Sequence, residues 1–283
     1  MSSTSPPAVG VARATSTPAW WPLRVWLGAE VLFGLASSAA IFLNPGGSLA
    51  NFAWPIKPDV MAATLGAIYA STLFTLIPSV FIRVWQDVRV LVLPGVVFTT
   101  VLLIATFLHW DRFSTTTVPF YIWFASYLLP PPIFAAMYWW HQRRSLPVGA
   151  DIKRPLPAAV RTFLLVNGAV LTAVVAVTFV VPSILQQIAP WTFTPLTTRA
   201  FSGLVALVSV VQICMAWEND AGRAWIPAPM LVAFPFALGI QLYRFGAEVQ
   251  WGNVALWVFV LDVVLVALAS LVVLLQAGGA KRA

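Results

Sequence analysis

The chain has 283 residues, 60% of them hydrophobic and only 9% charged, with 16 Lys and Arg against 9 Asp and Glu. A water-soluble domain of this size is excluded, because its long uncharged runs would have to cover its own surface. The charge of +7 follows from membrane topology, as shown by where the basic residues fall, and gives no reason to expect nucleic-acid binding.

In chain order, residues 1–20 are rich in Ser, Thr, Pro and Ala and have no apolar run ahead of the first span. They are expected to be a disordered cytoplasmic tail, not a cleavable signal. Eight stretches then reach the roughly 20 apolar residues that cross a bilayer: 22–43, 59–82, 90–108, 118–140, 158–181, 198–217, 227–245 and 254–276. Residues 141–157, the longest hydrophilic stretch, are expected to be a cytoplasmic linker joining two four-span units, 21–140 and 158–276, with 277–283 as a short tail. With the amino terminus inside, twelve of the sixteen basic residues fall on the cytoplasmic side and only Lys57, Arg112, Arg199 and Arg244 outside. That bias predicts cytoplasmic termini.

Within the first span stands Glu30, and within the last stands Asp262. Each lies about eight residues in, hence about 12 Å deep and near the midplane, where an ionisable group costs on the order of 2.5–3.5 kcal/mol and requires an explanation. The fourth span carries Pro130, Pro131 and Pro132 in its middle. Three missing donors leave the carbonyls of Ser126, Tyr127 and Leu128 without helical partners, which predicts a broken helix; such breaks form transporter sites or simple packing kinks. Asp59, His109, Asp111, Arg112, Arg199, Arg244 and Glu248 gather near the outer span ends, as catalytic groups on lipid headgroups would, or as ordinary interfacial charges would. His141, beside Arg143 and Arg144, reads as interfacial. Cys214, the only cysteine, excludes an intramolecular disulfide and a Cys-rich metal site and reads as a packing residue. The chain has no catalytic, metal-binding or nucleotide-binding signature, so no cofactor or metal is expected.

The two four-span units repeat at an offset of 137 residues. Arg24 falls on Arg161, Leu27 on Leu164, Phe42 on Phe179, Pro45 on Pro182, Trp54 on Trp191, Pro58 on Pro195, Ala63 on Ala200 and Gly66 on Gly203. Coincident Trp, Pro, Arg and Gly in one ungapped register mark a duplication. Four crossings per copy return the chain to its starting side, so the expected fold is an all-α integral membrane protein of eight transmembrane helices in two parallel four-helix repeats. In each copy the Arg is expected to snorkel to headgroups, the Trp to sit at the interface, the Pro to start a helix, and the Gly to allow close helix approach. Glu30 falls on Asn167, so both copies keep a polar group at one depth while only one of them titrates.

Phe52-Ala-Trp-Pro-Ile-Lys-Pro58, Leu65-Gly-Ala-Ile-Tyr69, Trp191-Thr-Phe-Thr-Pro-Leu-Thr-Thr-Arg199 and Glu218-Asn-Asp-Ala-Gly-Arg223 together resemble a family of uncharacterised bacterial multi-span membrane proteins, seen particularly in actinobacteria. The resemblance covers most of the membrane region and implies a multi-pass protein of the bacterial cytoplasmic membrane; it carries no activity. Three function classes remain open at this level. A proton-linked transporter with a small-molecule or ion substrate is favoured narrowly by duplication, midplane acids and a broken helix. The others are a non-catalytic scaffold or accessory subunit, and a lipid-acting enzyme. Membrane lipids are the one partner common to all three, and the oligomeric state is open.

Overall fold

The computed structural model describes residues 17–279; residues 1–16 and 280–283, most of the two expected tails, lie outside the described residues. Among the described residues the chain is all-helical, with no β-strand element. Its long helices are α1 (Trp21–Leu43), α2 (Asp59–Ser79), α3 (Trp85–Leu108), α4 (Val118–Gln142), α5 (Ala158–Val180), α6 (Pro195–Glu218), α7 (Ala228–Arg244) and α8 (Val254–Gly279). Seven of them are long and apolar enough to cross a membrane. The remaining expected span, 227–245, is the helix α7, whose 17 residues fall just short of the usual 20.

Local chemistry sets the boundaries. Thr117 caps α4 by accepting from Phe120 N, and Thr194 and Thr197 form a reciprocal capping box at the start of α6, each satisfying donors that the first turn leaves free. Pro195 opens α6 and Pro58 immediately precedes α2. Asn219 ends α6 in the left-handed conformation, which asparagine tolerates better than most residues. Inside the spans, hydroxyls are satisfied on their own helices: Thr64 donates to Val60 O at 2.7 Å, Ser71 to Ala67 O at 2.7 Å and Thr178 to Val174 O at 2.9 Å. In an apolar bundle an unpaired hydroxyl would be costly.

Helices α2 and α6 form the centre, each with 72% of its residues buried against 22–39% for the other spans. Helix α2 packs on α1 and α7, α6 on α5 and α3, α4 on α3, and α8 on α7. The third helix on one side of the linker therefore packs on the second helix of the other side, in both directions.

Several details depart from the expectations. Residues 17–20 are tied down: Thr17 O accepts from Trp85 N at 2.9 Å and Ala19 N donates to Arg83 O at 2.7 Å. The linker is pinned to the helix ends instead of standing free, because Arg89 Nη1 donates to Leu146 O at 2.6 Å and Lys153 N to Asp220 Oδ2 at 2.6 Å. His141 is buried and stacked on Trp85 at 4.6 Å between ring centroids. Trp54 and Trp191 are 2% and 3% exposed, so both indoles are core residues: Trp54 packs on Phe52, Phe113 and Trp123, and Trp191 Nε1 donates to Met61 Sδ at 3.3 Å. The outer loops fold back over the helix ends, and a large apolar ring gains more by joining that layer than by remaining at its rim.

Candidate functional site

A cavity of about 880 Å³ opens sideways among α5, α6 and α8. Its walls are aliphatic and aromatic, with Val170, Val174, Phe193, Phe201, Val258 and Phe259 prominent. Polar groups are few. Asn167 on α5 donates to Gln212 Oε1 on α6 at 3.1 Å and lies beside the Asp262 carboxyl of α8, and both Asn167 and Asp262 line the cavity. Thr178 and Ser202 bond each other at 2.9 Å on the same wall. At the mouth, Asn253 Nδ2 donates to Ile188 O and Ala189 O at 3.0 and 3.2 Å, holding the start of α8 against the preceding loop.

Side-chain volume explains why this space exists. In the first half, Phe33 makes edge contacts with Tyr69, Trp123 and Tyr127, whose rings fill the space between α1, α2 and α4. Tyr69 and Tyr127 also share a hydrogen bond of 2.6 Å. The positions 137 residues after Phe33 and Tyr69 are Val170 and Ala206, and α8 presents Leu256, Phe259 and Val263 where α4 presents Phe120, Trp123 and Tyr127. Glu30 stands in a separate space of about 80 Å³ with Phe33, Tyr69 and Phe98, accepting from Trp26 Nε1 at 3.1 Å. The two intramembrane acids therefore line different cavities.

The proline run does not open an ion site. Only Leu129 interrupts α4, and its backbone stays right-handed helical, so Pro130, Pro131 and Pro132 form the first turn of a restarted helix. That turn is where missing N–H groups matter least. Neither cavity is lined by Ser126, Tyr127, Leu128 or the three prolines.

The repeat-motif residues hold the helices together. Arg24 Nε donates to Val80 O at 2.8 Å and Arg161 Nε to Ala216 O at 3.1 Å, each at the end of the following helix. A Cβ on Gly66 would collide with the backbone of Ile41 and Phe42, and one on Gly203 would press on Leu102 at 2.7 Å. The outer charges disperse into similar duties. Arg199 Nε donates to Phe179 O at 2.9 Å and its Nη1 bonds His109 Nε2 at 2.7 Å. Arg244 donates to Phe42 O and Leu43 O at 2.8 and 3.1 Å, while Glu248 accepts from Val60 N at 2.7 Å. Cations on the last carbonyls and a carboxylate on the first amides of helices suit the helix dipole. Lys57 and Arg112 pair with their chain neighbours Asp59 and Asp111.

Sequence reasoning misses one cluster. Glu218 accepts from Arg89 Nη2 at 2.8 Å and from Arg223 Nη1 at 3.1 Å, and all three are at least nine-tenths buried. Two arginines and a glutamate at span ends are the only signal, and each alone reads as an interfacial charge. Comparison with family models, with curated proteins and with solved structures finds no match.

Proposed function

We propose that this chain is an eight-span protein of the bacterial cytoplasmic membrane, built as two parallel four-helix repeats with both termini cytoplasmic, whose second repeat binds a membrane-dissolved small molecule. Support for the duplication comes from element boundaries: α1 and α5 begin and end 137 residues apart, as do the short outer segments 45–51 and 182–188. Backbone bonds recur as well, with Ser114 N donating to Ala53 O and Gln250 N to Pro190 O. Support for the orientation comes from Arg143 and Arg144, which lie 3.7 Å over Trp139 and Trp140 at the end of α4, a basic and aromatic rim of the kind found at cytoplasmic interfaces. The motifs shared with bacterial multi-span proteins favour the same setting.

The laterally open cavity carries the functional reading. At roughly 24 cal/mol per Å³ an empty space of that size would cost on the order of 20 kcal/mol, more than a folded protein's whole stability, so the membrane fills it. Its apolar walls favour a hydrocarbon ligand over water. Its volume falls within the roughly 300–1,000 Å³ of small-molecule sites. Proton-coupled transport loses its premise, since Glu30 and Asp262 share no cavity, and headgroup catalysis loses its arginines to helix-end carbonyls. Purification in mild detergent followed by native mass spectrometry tests the binding reading. Wild-type protein retains a lipid-sized ligand, and Val174→Trp, which fills the cavity from an exposed wall position, releases it. Equal retention by both proteins would overturn the proposal.

A further inference from the structure

We infer that the cavity holds one hydrocarbon chain of an outer-leaflet lipid, and that Asn167 and Asp262 form the floor at which the chain ends. The inference rests on the binding reading above and names its ligand class. Length decides the occupant. On α8 the lining residues run from Val254 to Val266, and on α5 from Asn167 to Thr178, which at 1.5 Å per residue is about 18 Å and about 16 Å of depth. The upper end is marked by Ile188, Pro190 and Asn253 in the outer loops. It is marked also by the exposed Trp251 and Trp257, whose indole donates to Trp251 O at 2.9 Å, as residues at an interface do. The hydrocarbon core is about 30 Å thick, so the cavity spans about one leaflet. A partner's transmembrane helix would need the full thickness and finds no continuation of the cavity below Asn167.

The chemistry along this depth agrees. From the mouth to the floor the walls are Val, Leu, Ile and Phe with the paired hydroxyls of Thr178 and Ser202, and Asp262 is the only ionisable residue in the lining. No cationic side chain selects a headgroup phosphate, so recognition lies in the chain. At the floor, Asn167 is already bonded to Gln212 and lies beside Asp262, so a methyl terminus stops where further methylenes would have to displace polar groups from one another. Asp262 is thereby a specificity-determining residue for chain length.

The test uses the full-length protein in proteoliposomes. A phosphatidylglycerol with a diazirine at its chain terminus is introduced into the outer leaflet by cyclodextrin exchange, and cross-linked peptides are mapped. Adducts are expected on 166–178 and 258–266; adducts there only when the probe is supplied to the inner leaflet would overturn the leaflet assignment. Native mass spectrometry with saturated phosphatidylglycerols of graded chain length then compares wild type, Asp262→Ala and Val174→Trp. Wild type should prefer one length, Asp262→Ala should shift the preference to longer chains, and Val174→Trp should lose bound lipid. A bound lipid with the same length preference in Asp262→Ala overturns the floor while leaving the binding reading intact. Binding unaffected in Val174→Trp overturns both.

Discussion

Removing the Glu218 carboxylate should unfasten the cytoplasmic end of the bundle. Glu218 is 2% exposed, Arg89 2% and Arg223 6%, and the carboxylate accepts from Arg89 Nε, Arg89 Nη2 and Arg223 Nη1. Arg89 and Arg223 also donate to Leu146 O and Ala150 O, so the same cluster fastens the linker to α3 and α6. Breaking a buried ion pair from one side costs about 3–5 kcal/mol, because the partner charge remains without compensation. Here Glu218→Ala strands two guanidiniums, which places the expected loss at the upper end of that range. Glu218→Gln keeps the shape and a hydrogen-bond acceptor and should lose less. Arg89→Met combined with Glu218→Leu removes charge of both signs together, and should be more stable than Glu218→Ala alone. Reversible unfolding in mixed micelles, followed by circular dichroism, measures these differences. A Glu218→Ala protein within about 1 kcal/mol of wild type, on the scale of an exposed pair, would refute the reasoning; so would a double variant no better than the single one.

Gly66→Ala should destabilise the bundle by more than 1 kcal/mol, since the added methyl meets immovable backbone at Ile41 and Phe42, whereas Gly239→Ala, with nothing within 4 Å, should be neutral or slightly stabilising in the same unfolding assay. Burial, and then the Arg199 guanidinium, hold His109 below the usual imidazole value of 6.5. The native state therefore binds fewer protons than the unfolded chain just below pH 6.5, and stability is lost as pH falls from there toward the depressed value. His109→Gln should flatten this dependence in unfolding curves collected across that window. Cysteines placed at positions 150 and 187 in a Cys214→Ala background should react with an impermeant maleimide in intact cells only at 187; labelling at 150 alone would invert the topology.

What was legible in the sequence and what was not divides along a physical line. The ends of α1, α5 and α8 fall within about three residues of the expected spans because a proline or a change in hydropathy acts locally. The facing of each helix was less accessible. Where both lipid and core are apolar, the periodic contrast that identifies the buried face of a soluble helix fades, so Trp54 and Trp191 read as interfacial although both are interior. The broken helix at Pro130 was legible as an interruption, but its confinement to Leu129 depends on how α4 packs on α3.

By itself the sequence determined the all-helical class, the positions of the long apolar helices and the residues that punctuate them, since hydrophobic length, caps and prolines are properties of neighbours along the chain. Only the tertiary structure decided that Glu30 and Asp262 occupy separate cavities, that Arg89 meets Glu218 across 129 positions, and that the second half has an open groove where the first is filled by rings. Those outcomes depend on the summed volumes and charges of side chains brought together from different helices, a quantity that no local stretch of sequence contains.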